Sequence, residues 1–263
     1  MSPLRILVLC AGEQARWDAR LDVPKYMVPI DGIPLYLHTH NLLSELGCTD
    51  IQFLIKHGSP KLSGVNVTPI RPDITGDLAD KFLSSRDFWL TSGHTILLFG
   101  DVWLSPSAAQ ELFVTQGNTI RFIGRLLPSN YTGCQWEEIF ALSFGHDTHD
   151  ILLHELESLT PKLNRPAGWL LYDELLRKCS VETQPQLVFS HINDFSEDFD
   201  SPGDYETWCK NKTRVKPVFH DAIAPNAKTK KASKNELKNT IKGVAWGVII
   251  TCIYVLIHEI VWG

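Results

Sequence analysis

Three groups of residues in this chain have the types and spacing to handle phosphate. Near the N-terminus an apolar run over residues 4–10 opens into Ala11-Gly12, followed by Gln14, Arg16 and Pro24-Lys25. A small-residue turn lets backbone N–H groups close around an anion. An Arg and a Lys just behind it neutralise charge that develops when a bond to phosphorus breaks. That is the equipment needed to hold a nucleoside triphosphate. In mid-chain, Thr95-Ile-Leu-Leu-Phe-Gly100-Asp101 sets a carboxylate at the end of a strand-like run, directly before Val102-Trp103. An unpaired carboxylate is costly in such apolar surroundings, so Asp101 is expected to have a partner or a metal ion. Near residue 200, Asp198-Phe199-Asp200 supplies two more carboxylates.

Elements of an α/β domain must position these groups. Apolar periodicity predicts strands over 4–10, 51–55, 95–99, 119–124, 139–144 and 187–191. It predicts helices over 35–46, 76–90, 107–115, 150–159, 167–178 and 203–210. Several strands are near-continuous apolar runs, as expected of a sheet covered on both faces. The alternation argues for one domain with a mostly parallel sheet, whose ligands sit at the carboxyl ends of the strands. Ser201, Pro202 and Asp204 read as a helix start: N-cap, first-turn proline and capping carboxylate. His146, His149 and His154, with Asp147 and Asp150, read as a solvated helix start rather than a metal site.

Charge and composition divide the chain. Its 263 residues carry a formal charge of −5, but residues 1–212 hold 17 Lys+Arg against 27 Asp+Glu, whereas 213–263 hold 8 against 3. An acidic body argues against a nucleic-acid partner. The six cysteines are scattered without a C-x-x-C pair, so neither a disulfide framework nor a zinc site is expected. The N-terminal apolar run reads as a strand, not as a secretory signal. Residues 213–242, with Pro217, Pro225 and a series of lysines from Lys228 to Lys242, read as a basic linker. Residues 243–262 form a mostly apolar stretch of twenty, about 30 Å as a helix, which predicts a C-terminal transmembrane anchor. The lysines place the preceding domain on the cytoplasmic side.

Taken together, Leu9-Cys10-Ala11-Gly12 with Arg16, Pro24-Lys25 and Asp31-Gly32-Ile33-Pro34 resembles the N-terminal signature of the GT-A-like (MobA-like, sugar-phosphate) nucleotidyltransferases. The strand ending in Gly100-Asp101 and the segment Asp198-Phe199-Asp200-Ser201-Pro202-Gly203-Asp204-Tyr205 resemble two later landmarks of that family. The resemblance covers roughly residues 4–210. It implies a Rossmann-like three-layer sandwich over residues 1–212 and transfer of a nucleotide from a nucleoside triphosphate to a phosphorylated small molecule, with release of pyrophosphate. A sugar 1-phosphate or phosphocholine type of acceptor fits that reaction, and the anchor sets it at a membrane surface. Arg16 would hold the leaving pyrophosphate and Lys25 the α-phosphate and the attacking phosphate. Ala11, Gly12 and Gln14 would line the nucleotide, and Asp101 and Asp200 would hold Mg²⁺, with Asp198 the lesser candidate.

Gln14 stands where the family usually has a second glycine, and Ala15 where Thr or Ser is common. A side chain at 14 either crowds the phosphates or donates an amide in place of a backbone contact. Two other readings stay open. Asp198-Phe199-Asp200 is literally the D-x-D of a GT-A glycosyltransferase using a nucleotide sugar. Gln14 favours a non-catalytic, membrane-tethered nucleotide-binding module. Trp136, Glu137 and Glu138 precede a strand, either as an edge turn or as part of an acceptor pocket.

Overall fold

A computed structural model of the chain describes residues 3–12, 17, 22–70, 78–114, 118–126, 128–159, 167–179 and 185–212. Gln14, Arg16, the basic segment 213–242 and the apolar stretch 243–262 lie outside the described residues. Among the described residues no helix is long and apolar enough to cross a membrane.

A seven-stranded sheet forms the centre. Its strands are β1 (Leu4–Leu9), β4 (Ile51–Lys56), β5 (Val67–Ile70), β6 (His94–Phe99), β8 (Thr119–Arg125), β9 (Glu138–Gly145) and β10 (Gln186–His191), in the order β10-β8-β9-β6-β1-β4-β5. Every neighbouring pair is parallel except those involving β9, which runs antiparallel to both β6 and β8. Among the described residues no helix lies between β8 and β9, and the chain returns antiparallel beside β8. Ile6, Leu7 and Val8 on β1 and Ile96, Leu97 and Leu98 on β6 are buried on both faces, as their unbroken apolar runs require.

Helices α1 (Leu35–Glu45), α2 (Leu78–Ser84), α3 (Pro106–Leu112), α4 (His149–Ser158) and α5 (Ala167–Lys178) cover this sheet. The crossovers β1–α1–β4 and β5–α2–β6 move in opposite directions from β1, so right-handed connections put α1 and α2 on opposite faces. Helix α3 packs with α1, whereas α4 and α5 pack with α2 and with each other. The result is a mixed α/β sandwich with a mostly parallel sheet. The helix predicted over 76–90 is shorter: α2 stops at Ser84 and a 3-10 turn follows over Arg86–Phe88. Ser85 causes the stop, because both its N–H and its hydroxyl donate to the Phe82 carbonyl and its Oγ accepts from Trp89 Nε1.

Short elements unseen in the apolar pattern frame the sheet's carboxyl end. Asp31 and Gly32, with φ of 51° and 81°, turn the hairpin β2 (Pro29–Ile30) and β3 (Ile33–Pro34). The two-residue strands β7 (Val102–Trp103) and β11 (Glu197–Asp198) pair antiparallel. Helix α6 (Pro202–Lys212) follows β11. Trp17, Val28, Ile30, Leu35, Phe199 and Trp208 form a second, smaller apolar cluster that ties hairpin, β11 and α6 together. The five cysteines among the described residues are free thiols.

Candidate functional site

Strand β1 is followed by a crossover to β4 on one side and borders β6 on the other, so the crevice between β1 and β6 is the switch point of the sheet. Leu9 of β1 pairs with Phe99 of β6, which brings the Ala11-Gly12 turn and Gly100-Asp101 to one rim. Gly100 is needed there. Its N–H donates to the Leu9 carbonyl at 3.0 Å, and a Cβ at 100 would collide with Cys10 Sγ.

Lys25 reaches this rim from the 3-10 turn Lys25–Met27, which follows Pro24 and is closed by the Met27 N–H donating to the Pro24 carbonyl at 2.8 Å. Its side chain is only 9% exposed, and its Nζ lies 3.4 Å from Asp101 Oδ2 and 3.3 Å from Asp200 Oδ1. Segments 76 and 175 positions apart in sequence therefore meet on one ammonium. Burial opposes the charge on Lys25, but Asp101, Asp198 and Asp200 outweigh it and hold the ammonium above its ordinary pKa.

Asp198 and Asp200 arrive together because β11 pairs with β7, Asp198 opposite Val102, while the Phe199 N–H donates to the Asp101 carbonyl at 3.2 Å. Between them Phe199 is fully buried against Trp208 and Tyr205, with ring centroids 5.3 and 5.6 Å apart. Helix α6 is capped as its sequence predicts: the Asp204 N–H donates to Ser201 Oγ at 3.2 Å, and the Ser201 N–H to Asp204 Oδ2 at 2.8 Å. Asp204 thus serves the helix.

Glu138 completes the group. Because β9 is antiparallel, its first residue stands at the same rim as the last residues of β6. Carboxylate oxygens of Glu138, Asp198 and Asp200 converge to within 4.8 Å of one another. Burial, then the charge of Asp200, pushes the Glu138 carboxyl up to about 7, with Arg125 offsetting part of the effect. Asp198 is also raised, by burial first and then by Asp101, Glu138 and Asp200. Its Oδ1 is buried and has no hydrogen-bond partner. An orphaned acceptor within a surplus of hard, anionic oxygens suits a divalent cation such as Mg²⁺.

Of the expected site residues, Lys25, Asp101 and Asp200 meet at one point and Gly12 shares their rim; Arg16 and Gln14 lie outside the described residues. Glu138 belongs with the carboxylates, while Trp136 is 70% exposed. The local pattern marks Glu138 only as an edge-turn or acceptor-pocket residue; its place among the carboxylates depends on the direction of β9. His146 pairs with Asp147 at 2.8 Å on the surface.

The fold is that of the GT-A-like, sugar-phosphate nucleotidyltransferases. Among solved structures, the chain resembles a Bacillus anthracis protein described as a glucose-1-phosphate thymidylyltransferase: TM-score 0.57, 13% identity, covering 81% of this chain and 97% of that one. It is equally similar to the inositol-1-phosphate CTP transferase of T. maritima, with TM-score 0.57, 16% identity and coverage of 81% and 97%. A nucleotidyl transferase from Methanothermobacter matches with TM-score 0.57 and 18% identity over 80% of this chain and 98% of that one. No protein-family model matches the sequence, and no curated protein does.

Proposed function

We propose that this protein is a divalent-metal-dependent nucleotidyltransferase that joins a nucleotide from a nucleoside triphosphate to a phosphorylated small molecule and releases pyrophosphate. The observation that carries this reading is the Lys25 ammonium held between Asp101 and Asp200 at the β1/β6 switch point. The fold shared with sugar-phosphate nucleotidyltransferases supports it. A sugar 1-phosphate or phosphocholine type of acceptor fits, because a phosphate nucleophile is already ionised at pH 7 and needs no general base.

In the reaction an acceptor phosphate oxygen forms a bond to the α-phosphorus, and the bond from that phosphorus to the bridging oxygen of pyrophosphate breaks. The chain's task is to bring two anions together and to meet the charge that accumulates between them. Lys25 is poised to contact the α-phosphate, and the Ala11-Gly12 turn offers backbone donors. Asp101 and Asp200, with Asp198 and Glu138, would hold a Mg²⁺ ion. When bound, that ion neutralises phosphate charge and polarises the α-phosphate for attack. Arg16 would hold the leaving pyrophosphate.

The decisive experiment screens pyrophosphate release from four nucleoside triphosphates against a panel of phosphorylated acceptors, with Asp101→Ala as control. Release that requires both substrates and Mg²⁺, and is lost in the control, supports the reading. Glycosyl transfer from a nucleotide sugar, with no pyrophosphate, would replace it by the glycosyltransferase reading, which the convergence of Asp198 and Asp200 favours. We further propose that residues 243–262 anchor the domain to the cytoplasmic face of a membrane through the basic segment 213–242. The length of the apolar stretch and the lysines on one side of it support this. The full chain should float with liposomes, and Ile253→Arg should abolish flotation.

A further inference from the structure

Gly12 sits against a cation that the proposed reaction has not yet used. Lys81 projects from α2, and its Nζ lies 2.7 Å, its Cε 3.2 Å, from where a Cβ on Gly12 would stand. The residue is half-buried, and no carboxylate among the described residues pairs with it. Lys25 makes the contrast, since two carboxylates hold it. An ammonium set against a small-residue turn, with no carboxylate partner among the described residues, is placed to meet an anion bound at that turn. The turn itself ends β1 at the switch point, where ligands of such sheets bind.

We propose that Lys81 is a nucleotide-binding residue, its ammonium contacting the β- and γ-phosphates above Gly12, and that position 12 must be glycine to leave that ammonium its place. This assignment rests on the nucleotidyltransferase reading and deepens it. Lys25 is committed to Asp101 and Asp200 beside the reacting α-phosphate, so Lys81 would join Arg16 in serving the phosphates that leave. Alanine at 12 displaces only the flexible end of Lys81, so it weakens nucleotide binding without disturbing the sheet.

The test titrates the full chain in detergent with inorganic pyrophosphate and Mg²⁺ by calorimetry, and measures KM for triphosphate and acceptor separately. Lys81→Met should weaken pyrophosphate binding and raise the triphosphate KM by about tenfold to a hundredfold, the worth of one charged contact, with the acceptor KM and the melting temperature unchanged. Lys81→Arg should recover most of the loss. Lys81→Gln repeats the measurement without the charge should Lys81→Met misfold. Gly12→Ala should weaken binding alone but add little on top of Lys81→Met. Turnover with unchanged pyrophosphate affinity and triphosphate KM in the Lys81 variants overturns this assignment and leaves the reaction standing. Full additivity of Gly12→Ala and Lys81→Met overturns the link between the two residues. A wild-type chain that neither binds pyrophosphate nor turns over any triphosphate overturns the nucleotidyltransferase reading itself.

Discussion

Glu197 and Asp198 are consecutive on β11, and both are buried, but they belong to different chemistries. Glu197 points into a closed network: Arg125 Nη2 donates to its Oε1 at 2.7 Å, and the Ser129 hydroxyl donates to its other oxygen. Both Arg125 and Glu197 are almost fully shielded, so their charges are matched where water cannot reach. Asp198, on the opposite side of the same short strand, shares its space with Asp101, Glu138 and Asp200 and leaves one oxygen without a partner. The first region spends its charges on each other and is scaffold. The second keeps a surplus of one sign, which only a cation from outside can balance. In this molecule charge left unmatched, rather than burial or proximity to the rim, separates site from support.

The largest expected effect falls on the scaffold. Arg125→Met leaves Glu197 buried without its counter-charge and should cost about 3–5 kcal/mol in urea unfolding. If stability is barely altered, the matched pair is not scaffold. Next comes the unmatched region: Lys25→Met should lower turnover by about 10²–10³ while circular dichroism shows the fold retained. Near-normal rates would break the assignment of Lys25. A smaller effect of opposite sign is expected of Asp198→Asn, which removes one of several repelling charges. In the metal-free protein it should raise the melting temperature by about 2–4 °C, and it should weaken Mg²⁺ binding.

The gentlest probe is pH. Glu138, raised to about 7 from 4.5, keeps its proton in the folded chain where the unfolded chain has lost it. Its contribution to stability is therefore complete below about pH 4.5 and is lost as pH rises to about 7. The melting temperature without metal should fall across this window. Added MgCl₂ should raise it more at pH 8 than at pH 5, because the ion competes with the proton for the same oxygens. An equal gain at both values would place the ion elsewhere.

Much of this was legible in the sequence, for identifiable reasons. The helix over 167–178 appears with the predicted bounds, and β1, β6 and β10 lie within a residue of theirs, because long apolar periodicity reports its own burial. The edge strand Val67–Ile70 was hidden by its exposed Pro69, and β7 and β11 are too short to show any period. Lys25 and the Asp198–Asp200 segment carried local signatures. Glu138 stood out only as an edge-turn or acceptor-pocket residue and Lys81 not at all: the place of one among the carboxylates depends on the reversed direction of β9, that of the other on where α2 lies relative to the first turn. Position in a topology, unlike periodicity, leaves no mark on neighbouring residues.

Phe199 carries a consequence for synthesis. Its ring is locked by Trp208, whose indole N–H donates to the Phe195 carbonyl at 2.9 Å, so the acidic pair on either side depends on a helix that leaves the ribosome after the whole sheet. A nascent chain stopped short of Trp208 has every central strand in hand and no fixed cation cradle. Competence comes late in translation, only just ahead of the residues proposed to enter the bilayer.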